Sequence, residues 1–163
     1  MFYKRFLGLT VLILLLTIPA MASMVSFLVV ETGLNEDAPQ NQVSSIWGGG
    51  LMAAFFDAGH IVTDIPIMRM ENRPSRDLSG KVEEDFNEAL TVGSEYFILG
   101  FLEYELQSGR PVPISISVKV YKIDNKKLIH EQSFPVGKGS SPAEEHKNAQ
   151  NAGKAIISYI AEK

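Results

Sequence analysis

Gly48, Gly49 and Gly50 stand in a row inside "SSIWGGGLMAAFFDAGH", and a glycine run is one of the few sequence features that can cradle a phosphate. A phosphate loop needs Gly-x-x-x-x-Gly-Lys-Ser/Thr directly after a strand, so that backbone amides and a lysine ammonium meet the anion. Here Leu51 and Met52 follow the glycines, and no lysine is near. The dinucleotide spacing Gly-x-Gly-x-x-Gly does not occur there either. "GKGSS", Gly137 to Ser141, leads into a helix start, where free amides can hold an anion weakly. The plainer reading of that stretch is a flexible loop feeding a capped helix.

Other chemistry is equally sparse. His60, His130 and His146 are the three histidines, and no pair of them has metal-ligand spacing. The chain has no cysteine, so a nucleophile would have to be serine, and no Gly-x-Ser-x-Gly elbow presents one. Glu83-Glu84-Asp85 reads as a solvated first helical turn and Glu36-Asp37 as loop. No residue asks for a catalytic role, and neither a metal nor a cofactor is expected.

The elements that would position any site begin after a leader. Lys4 and Arg5 precede an uncharged apolar run, and Pro19 then introduces Ala20-Met21-Ala22. That is the layout of a signal peptide over residues 1–22, cleaved before Ser23, with a single domain over 23–163 and a periplasmic or secreted destination. The alternative is an uncleaved helix that anchors the domain in the inner membrane facing the periplasm, since no charge falls between Arg5 and Glu31. Without cysteine there is neither a disulfide nor a lipid-acceptor residue. Loss of Lys4 and Arg5 takes the formal charge from −4 to −6. That acidity argues against nucleic acid as a partner, and leaves membrane contact only to a retained amino-terminal segment.

Along the mature part, "MVSFLVV" reads as a buried strand, and the polar stretch with Pro39 after it as a loop. Val43, Ile46, Trp47, Gly50, Leu51, Ala54 and Ala58 recur at helical spacing, with Gly59 placed to end that helix. "HIVTDIP" is a second strand closed by Pro66, and "MRMENRPSRDLSG" a connection. Val82, Phe86, Ala89 and Leu90 give the next helix its apolar face, and "EYFILGFLEYEL" a central strand whose Gly100 suggests a bulge or a close backbone approach. "ISISVKVYKI" alternates cleanly and pairs across "DNKK" with "LIHEQSF". Ser141-Pro142-Ala143-Glu144 is a capping box that opens a final helix with an Ala149, Ala152, Gly153, Ile156, Ile157 and Ile160 stripe. The expected order is β-α-β-α-β-β-β-α, an α/β (α+β) fold with a mixed sheet, an antiparallel hairpin and packed helices.

"DAGHIVTDIP", "VGSEYFILGFLEYE" with Gly93, Tyr96 and Gly100, and "ISVKVYKIDNKKLIHEQS" resemble, in the right order, elements of the CsgG, LpoB and TolB amino-terminal type of periplasmic envelope-assembly domain. The resemblance implies a non-catalytic interaction module, a subunit or activator in secretion, peptidoglycan synthesis or a flagellar accessory. It implies no cofactor and an envelope protein as partner, or a second copy of the chain. A small-ligand binder or enzyme with a loop-built site remains the alternative.

The first helix sharpens the partner expectation. From Asn41 to Phe56 it carries no charge, so its far side, Ser45, Gly48, Gly49, Met52 and Phe56, is expected to be covered. An intramolecular neighbour such as the last helix would cover it, or a partner would. These five residues form the candidate protein-contact face.

Overall fold

The computed structural model describes residues 22–34 and 42–161; the expected leader, residues 1–22, lies outside them except for Ala22. In chain order the elements are β1 (Met24–Thr32), α1 (Gln42–Asp57), β2 (Ile61–Asp64), β3 (Met68–Met70), α2 (Lys81–Thr91), β4 (Tyr96–Gln107), β5 (Arg110–Lys122), β6 (Lys127–Pro135) and α3 (Pro142–Ala161). The mixed α/β class with an antiparallel hairpin is as expected. One element differs: Met68–Met70, read as connection, forms the short strand β3. Three residues are too few to show a period in sequence, and only pairing with β1 makes them a strand.

The sheet runs β2-β1-β4-β5-β6, with β3 continuing the β2 edge against the upper half of β1. β1 pairs in parallel with β2, β3 and β4, which explains its unbroken apolar run: parallel strands are buried on both faces. β4, β5 and β6 continue antiparallel. Alternation then sorts the side chains. Phe27, Val29, Ile98, Ile116, Val118 and Val120 face α1 and α3, while Leu28, Val30, Phe97, Leu99, Phe101 and Tyr121 face α2.

Two glycines are required by their surroundings. Gly59 takes φ +89°, and His60 N donates back to the Phe55 carbonyl at 3.1 Å, closing α1 as the sequence suggested. At Gly100 a Cβ would stand 3.1 Å from Ile116 Cδ1, so its role is close approach. The bulge lies elsewhere, between Glu103 and Tyr104.

The segment between β3 and α2 crosses the sheet as a strap. Arg73 lies over the Phe101 ring at 4.4 Å, and Asp77 accepts from Lys119 Nζ (2.5 Å) and Tyr121 Oη (2.8 Å). Burial raises the Asp77 carboxyl, but those donors outweigh it and hold the group below its ordinary value.

Candidate functional site

The seam between α1 and α3 is built on small residues. A Cβ on Gly50 would stand 2.5 Å from Ala149 Cβ and 2.8 Å from the His146 carbonyl, and one on Gly153 would stand 2.6 Å from Ala54 Cβ. The two helices therefore touch backbone to backbone, and neither glycine can take a side chain without separating them. The last helix is indeed a neighbour of the glycine-rich one. It approaches through Gly50, however, and not through the face marked for contact.

That expected face divides. Gly48 is buried, with its Cβ position 3.5 Å from Val29 Cγ2, so it belongs to the sheet side. Ser45 is exposed, Gly49 has nothing within 4 Å of its Cβ position, Met52 is half-buried and Phe56 is 68 % exposed. Ser45, Gly49, Met52 and Phe56 fall at steps of four, three and four, one stripe along the outer side of α1. Met52 packs in part against the core, and among the described residues no other element covers Ser45, Gly49 and Phe56, so the cover expected there would come from outside the described residues.

The second constellation was not foreseen. Glu145, 5 % exposed, accepts from Trp47 Nε1 (2.7 Å) and Gly137 N (2.8 Å) on Oε1, and from Gly139 N (2.7 Å) on Oε2. Burial alone would raise its carboxyl; these hydrogen bonds and one from the Asn148 side chain prevail and lower it. The "GKGSS" loop thus does hold an anion, and the anion is the protein's own. Half of the expected capping box forms beside it: Glu144 N donates to Ser141 Oγ at 3.2 Å, while the Glu144 carboxylate accepts from Ser140 and not from the Ser141 amide. A helix-phase reading places Glu145 beside Glu144 in a solvated first turn; nothing in the sequence tells that Trp47 comes to it.

Trp47 also floors a cleft. It lies 6.4 Å from Phe134, ring centre to ring centre, and with Ala152 the two rings form the base of a cavity of about 380 Å³. Lys138, Asn148 and Asn151 stand at its rim. Aromatic floor and a few polar rim groups are the composition of binding clefts, at a volume within their range of roughly 300–1,000 Å³.

A third polar cluster knots the top of the sheet. Glu31, fully buried, accepts from Ser44 Oγ and from Arg69, whose Nε lies at 2.8 Å, and Ser44 Oγ lies 2.9 Å from Tyr104 Oη. Burial pushes the Tyr104 phenol up to about 12, with the neighbouring Glu31 carboxylate adding to the rise and Ser44 opposing it. The cluster joins β1, α1, β3 and β4, and reads as a structural tie. The histidines stay apart: His60 Nδ1 is buried without a hydrogen-bond partner among the described residues, and His130 stacks near Tyr159 at 4.1 Å. Among the described residues no three His, Asp or Glu side chains are placed to hold a metal ion.

No protein-family model and no curated protein matches the chain. Solved structures with a similar fold include the PelC dodecamer from Paraburkholderia phytofirmans, 15 % identical, with a TM-score of 0.47 over 86 % of this chain and 91 % of that one. TolB from Acinetobacter baumannii is 12 % identical at a TM-score of 0.44, over 88 % of this chain but only 29 % of TolB. The C-terminal domain of LpoB from Escherichia coli is 12 % identical at a TM-score of 0.44, over 72 % and 84 %. LpoB and TolB, both named in the resemblance read from sequence, are thus among the structures this chain is similar to; CsgG is left untouched.

Proposed function

We propose that the protein is a non-catalytic interaction module of the bacterial cell envelope, an exported subunit or activator in an assembly for secretion, peptidoglycan synthesis or flagellar accessory work. The observation that carries this reading is the outer stripe of α1. A surface helix ordinarily turns charge to water, yet α1 is uncharged until Asp57 and presents Phe56 on the same stripe as a bare Gly49, two turns away. Flat, uncharged backbone in line with a large exposed ring suits a protein partner or a second copy. The sequence features of the leader and the lack of cysteine support export without a lipid anchor.

A photo-crosslinking amino acid at Ser45, in intact cells, tests it. A discrete crosslinked protein, lost in a Gly49→Leu and Phe56→Glu double variant whose melting curve is unchanged, is the expected result. Sedimentation of the purified protein separates the two occupants: a concentration-dependent dimer lost in the same variant identifies a second copy. If a photo-crosslinker at Ser45 captures nothing and the protein sediments as a monomer, the reading fails.

A further inference from the structure

Both α1 and α2 end beside the start of β1. After α1, Ile61 N donates to the Ser23 carbonyl at 3.0 Å; after α2, Glu95 N donates to the Met24 carbonyl at 2.8 Å. Ser23 Oγ donates to the Glu95 carboxylate at 2.6 Å. Around this entry point stand four large apolar side chains that the fold leaves exposed. Phe56 is in the last turn of α1, Ile61 opens β2, Leu90 lies near the end of α2, and Val92 follows it. Leu128 lies at the same end of the sheet, paired with Tyr121 and so level with Phe97. Among the exposed large apolar side chains of the described residues, Leu106 alone is at the opposite end, in the β4–β5 hairpin. A single exposed apolar side chain is ordinary; a collection of them around one point is a surface.

The chain enters that end directly from its apolar leader. From Phe6 to Ala22 it carries no charge, a run of about 17 residues and so, at the short limit, enough to span a bilayer as a helix. Lys4 and Arg5 ahead of it favour the cytoplasmic side, which puts the domain across the membrane. Only Ser23 separates this run from β1, so a retained leader leaves no linker. The end of the sheet where β1 starts then has to rest at the bilayer surface. Cleavage before Ser23 would instead leave the same four side chains facing water. The charged groups at this end are of both signs: Asp57 and Glu95, with the pairs Lys122–Asp124 (3.9 Å) and Lys126–Glu83 (3.2 Å). Contact there is apolar and needs no anionic lipid.

We propose that residues 6–22 stay on the protein as a membrane anchor, and that Phe56, Ile61, Leu90 and Val92 seat the domain on the surface of that bilayer. The proposal rests on the exported reading above and chooses its anchored form. Seated side chains reach about 5–10 Å into the boundary between headgroups and acyl chains. Leu106 stands roughly 33 Å farther along β4 than Tyr96, well clear of the lipid. The α1 stripe from Met52 back to Ser45 leads away from the surface and stays open to a protein partner. Two copies joined end to end fit less well, because both leaders would be trapped between them.

The chain has no cysteine, so one introduced cysteine carries one label. Ile61→Cys, Val92→Cys and Leu106→Cys are all at exposed positions, where a dye displaces no core side chain. Each full-length variant is expressed with its leader in a Gram-negative host, and its amino terminus is identified by mass spectrometry. The protein is then labelled with a fluorescent dye in phosphatidylcholine nanodiscs, with and without spin-labelled phosphatidylcholine as quencher. The expected result is a membrane-bound chain that keeps residues 1–22, with quenching at positions 61 and 92 at least about three-fold stronger than at 106. A chain that begins at Ser23 and stays in the periplasmic fraction overturns the anchor and leaves the interaction module standing. A Leu106→Cys thiol that an impermeant maleimide cannot reach once the outer membrane is opened means no export, and overturns both. A retained leader with equal quenching at all three positions rejects the seated surface.

Discussion

Gly49 and Gly50 are neighbours on one helix, and they do opposite things. Gly50 faces α3, where even a Cβ has no room; Gly49 faces solvent, where a side chain would meet nothing within 4 Å. The first is required by packing inside the molecule. The second costs the helix about 1 kcal/mol relative to alanine and is used by nothing among the described residues. A fold that retains the second has either drifted or is using bare backbone outward. Their contrast separates the inner seam, which holds the protein together, from the outer stripe, which is free to hold something else.

The sharpest way to break this contrast is Gly50→Leu against Gly49→Leu. The former must push α3 off α1 and lower stability by about 3 kcal/mol in urea unfolding, the upper part of the overpacking range; the latter does not lower the midpoint and adds somewhat less than about 1 kcal/mol through helix propensity. Equal effects would mean that the seam is not where the geometry puts it. Next in size is Glu145→Gln, which weakens three hydrogen bonds to a buried carboxylate and costs about 2 kcal/mol. The same group gives the seam a pH dependence. Because its folded-state carboxyl sits below its ordinary value, its contribution is complete above an unfolded value of about 4.3 and is lost as pH falls through the folded one. Melting followed by Trp47 emission from pH 7 to pH 2 should show that acid limb, and Glu145→Gln should flatten it. On the outer stripe, Gly49→Ala raises stability by about 1 kcal/mol, because the helix gains alanine with no new contact. Phe56→Glu is the smallest change, within about 0.5 kcal/mol in either direction, read by the same unfolding curves. A large loss there would place Phe56 in the core and remove the stripe.

The sequence made much of this legible where periodicity is long. The strand and helix runs, the cap at Gly59, the hairpin turn and the Ser141 side-chain cap all follow from local pattern, and the structure keeps them. β3 did not show, since three residues have no period. Within the glycine triplet, helical phase correctly set Gly50 with the buried side but left Gly48 on the outer one, where the structure turns it toward Val29. A step of 100° leaves each residue's neighbour undecided when two different elements share the buried half. The Glu145 site was illegible because its partners, Trp47 and Gly137, come from α1 and from the loop before α3, and only the tertiary fold joins them. The Trp47–Phe134 cleft has the same origin: Phe134 and Asn151 are unremarkable apart and make a cleft only together.

The position of β1 has a consequence for the order of assembly. Its neighbour on the interior side is β4, and the hydrogen bond between the Ser26 and Ser94 hydroxyls spans 68 residues. Among the described strands β1 comes first, and until β4 follows it has only the short strands β2 and β3 to pair with. Long-range parallel pairing of this kind folds slowly, and until it closes, "MVSFLVV" is exposed. For an exported chain, as proposed above, that delay would favour the unfolded state that a narrow channel threads.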